Sequence, residues 1–273
     1  MSSAPQPVLR SWVWGKSVDW IRRYLPPLIV FVTVLALWQV YFSSQGTFRP
    51  VPTPTENAQA TVEEWSRLST AAWATLVEAL GGLAIGTTAG LLVGFVTARW
   101  AIARDILLPL AIGAATIPII AVAPILNNWF GSVNPLSKMM MAALLVFFPI
   151  VINVTRGLVE VGPAKLELMR SYAADEGTVL RKLRVPHMLP FFFTALKVGT
   201  TLAFIGAIVG EFFGGSSQVI GRVVIQAMSN GSYDGAWAAI ILGAIAAIVS
   251  YLVVTLVERA VIPWYFHLHD RPE

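Results

Sequence analysis

The sequence predicts an all-α, polytopic membrane protein with six transmembrane helices, and three observations carry that prediction. Of its 273 residues, 56% are hydrophobic and 12% charged, about half the charged share of an ordinary soluble domain. The apolar residues fall in runs of about 20, enough for a helix to cross a bilayer core. Lysine and arginine gather in alternate segments between those runs, which is the pattern that fixes orientation in a membrane. The same composition excludes a water-soluble globule, a disordered chain and a collagen-like repeat. The absence of cysteine removes a disulfide scaffold, thiol catalysis and cysteine zinc sites. Nucleic-acid binding is excluded as well, because the basic residues sit between hydrophobic runs rather than on one soluble face.

Along the chain, residues 1–24 are predicted to form a cytoplasmic tail and 25–43 the first transmembrane helix. Arg22 and Arg23 precede that span as they would a signal peptide. The apolar run is longer than a signal core, however, and no Ala-x-Ala site follows, so it reads as an uncleaved anchor. Residues 44–70 form a polar extracytoplasmic linker with Pro50, Pro52 and Pro54 and with Glu56, Glu63 and Glu64. A five-helix core follows over 71–258, with spans at 72–98, 105–125, 137–155, 188–210 and 236–258, and residues 259–273 are a cytoplasmic tail. The third of the six spans carries Pro109, Pro118 and Pro124. Proline removes a backbone donor and clashes with the preceding turn, so that span is predicted to be kinked or broken.

Placing the N-terminus inside puts fourteen basic residues in cytoplasmic segments, among them Arg10, Lys16, Arg99, Arg104, Arg156, Lys165 and Arg181. Four fall outside (Arg49, Arg67, Lys138, Arg222), which predicts N-in and C-in. Gly82, Gly86, Gly90 and Gly94 recur every four residues on the second span, and Gly206, Gly210 and Gly214 repeat the spacing on the fifth. Small residues at that spacing share one helix face and let a neighbouring backbone approach closely, for packing within the chain or for a sliding or dimer-forming surface.

Few residues suggest chemistry. Gly15-Lys16-Ser17 ends like a phosphate loop, but position 10 is Arg where that loop needs Gly. His187, His267 and His269 lack a carboxylate cluster at ligand spacing, so no metal site is predicted. Glu78 and Glu211 are predicted to snorkel at the outer interface, the alternative being a substrate or proton role, and Lys197 to snorkel toward the inner one.

Residues 156–187 form a long cytoplasmic excursion with an amphipathic helical pattern. Gly162-Pro163 opens it, KLELMRSYAADEG follows from Lys165, and Gly177 reads as the C-terminal cap. Leu166, Met169 and Ala173 share a stripe with Leu168 and Tyr172 beside it, while Glu167, Arg170 and Asp175 offer polar contacts. A short amphipathic helix exposed to the cytosol calls for a partner groove.

This segment resembles the EAA loop of the inner-membrane permeases of binding-protein-dependent ABC importers: Glu-Ala-Ala, three residues, Gly, nine residues, then Ile-x-Leu-Pro. Glu167 matches the Glu, Leu168 and Met169 stand for the alanines, Ala173 takes the Gly place, and Leu183 to Pro186 end the motif. The changed glycine bears on the tightness of the turn between the loop's two helices. IPIIAVAPILNNWFG (Ile117 to Gly131), FFPIVINVTRGL (Phe147 to Leu158) and VGEFFGGSSQVIG (Val209 to Gly221) resemble the nitrate, sulfonate and taurine branch, which also includes permeases for thiamine-precursor pyrimidines and riboflavin. The resemblance covers roughly residues 70–260.

The resemblance implies a type I ABC importer permease fold working as a pair, the second permease being a copy of this chain. A cytoplasmic ABC ATPase dimer would hold ATP and Mg, with no cofactor in this chain, and an extracytoplasmic solute-binding protein would deliver the solute. Residues 163–175 would be the coupling helix, with Glu167 and Arg170 making polar contacts to the ATPase and Leu168, Met169 and Tyr172 apolar ones. A translocation path lined by kinked spans and a few polar groups would draw on Thr116, Asn127, Asn128, Trp129 and Asn153. No Arg or Lys falls near the bilayer middle, which favours a pyrimidine, thiamine-precursor or riboflavin-like cargo over sulfonate, taurine or nitrate. An ion-gradient-driven secondary transporter would also show six spans, but calls for charges near the midplane that the sequence does not display. A membrane-embedded enzyme would need a nucleophile or metal cluster at membrane depth.

Overall fold

The computed structural model describes residues 11–44 and 50–265, with side chains from residue 25 onward. Expectations on Arg10, Arg49, His267, His269 and Arg271 lie outside the described residues, as do those on the side chains of Lys16, Arg22 and Arg23. Among the described residues all regular structure is helical. Helix α1 spans Ser11–Ser43, so helix begins ahead of the predicted first span, and its apolar part is Leu25–Ser43.

The proline-rich linker contains α2 (Pro54–Glu63), started by a capping box in which Thr53 and Glu56 satisfy each other's backbone donors. Helix α3 (Trp65–Arg99) is followed by α4 (Ala101–Ala114) and α5 (Ile119–Phe130). These last two are bent by 97° relative to one another where Pro118 interrupts the ladder. Among the described residues five helices are long and apolar enough to cross a membrane, and the bent pair makes a sixth when it is counted as one span.

Helix α6 (Pro135–Val159) lies between α3 and α9 (Val185–Phe213). The glycine stripes explain how. A Cβ on Gly82 would collide with that of Ala142, and one on Gly86 would sit 2.5 Å from the Ala143 carbonyl. From the other side, a Cβ on Gly206 would sit 2.7 Å from the Ala142 Cα. Ala142 is therefore clamped by both stripes, and Ala79, Val146, Ile150, Val154, Ala203 and Phe204 fill the seam around it. Without a hydrophobic drive between helices in lipid, such close approach is the main source of packing energy.

Between α6 and α9 run α7 (Pro163–Ser171), α8 (Glu176–Val179) and a π-helical turn, Leu180–Arg184. After α9 comes α10 (Ile220–Ser229), in a stretch with no predicted element, and then α11 (Tyr233–Val261). Ile220, Val223, Val224 and Ala227 bury one face of α10 against Ala236, Ala238 and Ala239 of α11 and Leu68 and Ala71 of α3. Helix α1 stands apart, with no residue of its apolar window buried. It is pinned at one end, where Trp38 Nε1 donates to the Pro52 carbonyl at 3.1 Å and the ring meets Trp237 at 5.9 Å. The bundle thus has two ends, one carrying α2 and α10, the other carrying α7 and α8.

Candidate functional site

At one end, α7 projects from the bundle with none of its residues buried. Pro163 occupies its first position, as the sequence predicts, but the helix stops before Gly177. The Ala174 N–H bonds the Met169 carbonyl at 3.1 Å and the Ala173 N–H bonds the Arg170 carbonyl at 2.9 Å. That pair of bonds is a Schellman closure around a left-handed residue. The left-handed residue is Ala173, at φ +49°, the one non-glycine with positive φ among the described residues. The position where the EAA motif has glycine therefore keeps the glycine conformation with alanine in it. Gly177 instead lies inside α8, where its N–H donates to the Asp175 carboxylate at 3.1 Å. Thr178 Oγ1 also donates to Asp175, holding that carboxyl below the ordinary aspartate range.

The two faces of α7 differ. Leu168 and Tyr172 point away from the bundle, 57% and 76% exposed. Leu166 and Arg170, one turn apart, face a cleft against the ends of α3 and α6. Glu167 is exposed and Met169 half-buried. Two bonds fasten the region to α6: Arg184 donates to the Leu158 carbonyl at 3.3 Å and His187 Nδ1 lies 2.8 Å from the Gly157 carbonyl. A third link, Arg99 to Glu176 at 3.5 Å, ties it to the end of α3.

At the other end the expectation for the carboxylates is overturned. Glu78 and Glu211 do not snorkel but are 4% and 0% exposed, and Lys138, assigned by sequence to an outer segment, is 0% exposed. Thr75 Oγ1 donates to Glu211 at 2.7 Å and accepts from the Ile220 N–H at 3.0 Å, while the Gly221 N–H donates to Glu211 at 2.6 Å. Glu211 thereby caps the first turn of α10, where free N–H groups and the helix dipole favour an anion. Lys138 donates to the Ser132 carbonyl and, among the described residues, is the one cation that interacts electrostatically with Glu78 and Glu211. Lys197 likewise does not simply reach the interface: it pairs with the buried Glu258 of α11 at 2.8 Å. Sequence reading missed Glu258 because it falls on a span boundary, and missed α10 although its apolar residues keep a helical i, i+3, i+4, i+7 spacing.

The predicted path residues separate. Asn127 and Asn128 line a cavity of about 480 Å³ with Pro124, Gly131, Ser132 and Phe213 near the α10 end. Asn127 is 6% exposed, and neither amide atom finds a hydrogen-bond partner among the described residues. Trp129 is 71% exposed on the same helix. Thr116 lies at the bend, its hydroxyl spent on the Gly113 carbonyl at 2.7 Å. Asn153 is apart from these, bonded at 2.9 Å to the Pro149 carbonyl of its own helix. Among the described residues no group of three or more His, Asp or Glu is placed to hold a metal.

Known proteins bear on this arrangement. The formylaminopyrimidine transport permease protein ThiX of Halalkalibacterium halodurans is 30% identical over 88% of this chain and 96% of its own length. The riboflavin transport system permease protein RibX of Chloroflexus aurantiacus is 31% identical over 90% of this chain and 91% of its own. A chain of the MetNI methionine ABC transporter, solved in inward-facing conformations, superposes with a TM-score of 0.62 over 73% of this chain and 98% of that one, at 19% identity. Residues 86–266 match the family described as the binding-protein-dependent transport system inner membrane component. With two thirds of its length inside that pattern, and with the permease fold, this chain belongs to that family of ABC importer permeases.

Proposed function

We propose that α7 is the coupling helix of this type I importer permease, seated in a groove of a cytoplasmic ATPase through Leu168 and Tyr172. The observation that carries the reading is the exposure of Leu168 on a helix with no buried residue and of Tyr172 at that helix's C-cap. An apolar pair held out of the bundle is the anchor that a helix-in-groove contact needs. Glu167 beside it supplies a rim contact, whereas Arg170 belongs to the opposite, cleft-facing side. The α7 end would then lie in the cytoplasm with both termini inside, a placement the positive-residue bias supports.

Two copies of this chain would form the pathway. Closure of the ATPase pair draws the two α7 helices together, and the bonds from Arg184 and His187 to the end of α6 pass that displacement to the glycine-packed α3–α6–α9 body. The body would move as a unit, alternately opening the Asn127 cavity to a docked binding protein and closing it. That cavity is lined by amide, hydroxyl and aromatic groups and carries no charged side chain. Together with the relatives named for formylaminopyrimidine and riboflavin, this supports a small neutral heteroaromatic cargo.

The test is co-purification of the intact chain with its ATPase, against Leu168→Asp with Tyr172→Asp. The double variant is expected to fold and to lose the ATPase; retention of the ATPase overturns the coupling assignment. A Ser171→Cys variant, in a chain with no natural cysteine, should be labelled by a membrane-impermeant thiol reagent only after the cells are opened. For the cargo, excess formylaminopyrimidine or riboflavin should compete for uptake, and competition by taurine or nitrate instead defeats that part of the reading.

A further inference from the structure

The cleft behind α7 has about 890 Å³ of space and is lined by four arginines, Arg99, Arg104, Arg170 and Arg184, against one carboxylate, Glu176. Neither Arg170 nor Arg184 has a carboxylate partner among the described residues, and Arg104 reaches only its chain neighbour Asp105, at 3.7 Å. The rest of the wall is apolar, with Phe95, Val96, Leu158, Leu166 and Leu180 prominent. Arg99 ends an apolar span of 35 residues, and Trp100 beside it is 57% exposed. Trp and Arg at the end of a membrane helix mark the headgroup level. The cleft therefore combines positive charge, apolar walls and the depth at which a lipid phosphate sits.

From this we infer that the cleft binds the headgroup of one anionic phospholipid, its phosphate among Arg99, Arg104 and Arg170 and its glycerol and upper acyl carbons against the apolar wall. Basic pockets between membrane helices on the cytoplasmic side are suited to such headgroups. The lipid would bridge the end of α3 and the inward face of α7, and so brace the loop from behind while Leu168 and Tyr172 stay free. Glu176 competes with the phosphate for Arg99, to which it is bonded at 3.5 Å. The inference rests on the orientation proposed above, because anionic lipid must be present on the α7 side. Its test does not, since it needs neither a leaflet nor an ATPase.

The full chain in neutral detergent micelles is titrated with phosphatidylglycerol or with phosphatidylcholine of the same acyl chains, and bound lipid is counted by native mass spectrometry. One tightly held phosphatidylglycerol per chain is expected, with no matching phosphatidylcholine. Arg99→Gln with Arg104→Gln should weaken binding roughly thirtyfold, since each basic residue near the lipid surface contributes on the order of fivefold. Arg181→Gln with Lys182→Gln removes the same charge from exposed positions outside the cleft and should change binding less than about twofold. Should the first pair impair folding, Glu176→Gln, at a side chain 89% exposed, offers the opposite sign and is expected to tighten binding roughly fivefold. Equal loss in both double variants, equal binding of phosphatidylcholine, or no gain from Glu176→Gln overturns the assignment. So does displacement of the lipid by sn-glycerol 1-phosphate at equal concentration, which would make the ligand a soluble phosphate.

Discussion

The two ends of the bundle treat charge in opposite ways. At the α10 end Glu78, Lys138 and Glu211 are sealed from solvent, with Lys138 bonded to the Ser132 carbonyl of the α5–α6 loop and Glu211 to the first turn of α10. At the α7 end Arg99, Glu176 and Asp175 are open to solvent, and the segment is held by caps and a turn rather than by burial. A buried ionic knot specifies one geometry and is costly to break, whereas an exposed, capped helix leaves its side chains free for a partner. The bundle is therefore locked where α9 meets α10 and left adaptable where a mechanical input would arrive.

The largest effect should come from opening the lock. Lys138→Met removes the one cation from this buried set, and breaking a buried charge set in this way costs about 3–5 kcal/mol. Thermal unfolding in micelles should show that loss, and restoring it by Glu211→Gln in the same chain, which keeps an acceptor for Thr75 and the Gly221 N–H, would demonstrate that charge, not packing, is responsible. Unchanged stability in Lys138→Met would mean that the three groups are not energetically joined. Next in size is the body that joins the ends. Gly86→Val places side-chain atoms where the Ala143 carbonyl stands, and overpacking of this kind costs about 1–3 kcal/mol. A variant as stable as the parent would show that α3 can slide on α6 without loss.

What the sequence reveals follows the same division. Spans, the proline break and the glycine stripes are legible because they rest on local composition and period: Pro118 must interrupt a helix, and Gly82 and Gly86 must share a face. The α7 loop is legible too, through spacing that survives the change of glycine to Ala173. The α10 end is not. Glu78, Lys138 and Glu211 are up to 133 residues apart in the chain, and single carboxylates near span ends look like interface residues until the packing brings them together. Arg170 shows a finer limit: the helical wheel sets it apart from Leu168, but only the neighbouring ends of α3 and α6 say which face looks inward.

The smaller effects lie in the α7 turn. An L-residue in the left-handed conformation costs about 1–2 kcal/mol, partly offset by the greater freedom glycine loses on folding. Ala173→Gly is accordingly expected to stabilise the loop by about 0.5–1 kcal/mol. Slower hydrogen exchange of the Ala174 amide, which closes the turn on Met169, would register the gain; no change would mean that the alanine is unstrained.

Smallest of all is the cap on α8. The hydrogen bonds from Thr178 and the Gly177 N–H lower the Asp175 value below the ordinary 3.8, so as pH falls the unfolded chain takes up this proton first. The cap therefore contributes its stability above that ordinary value and loses it as pH falls through the lowered one. Asp175→Asn keeps an acceptor for the Gly177 N–H without the titration. Melting curves of the two proteins should run parallel above pH 5 and converge toward pH 3, the ordinary aspartate range marking the upper edge of that window. Parallel curves throughout would show that the carboxylate's charge adds nothing to its role as acceptor. The turn would then be held by the Schellman bonds alone, and the α7 end would owe its shape to backbone geometry where the α10 end owes its own to buried charge.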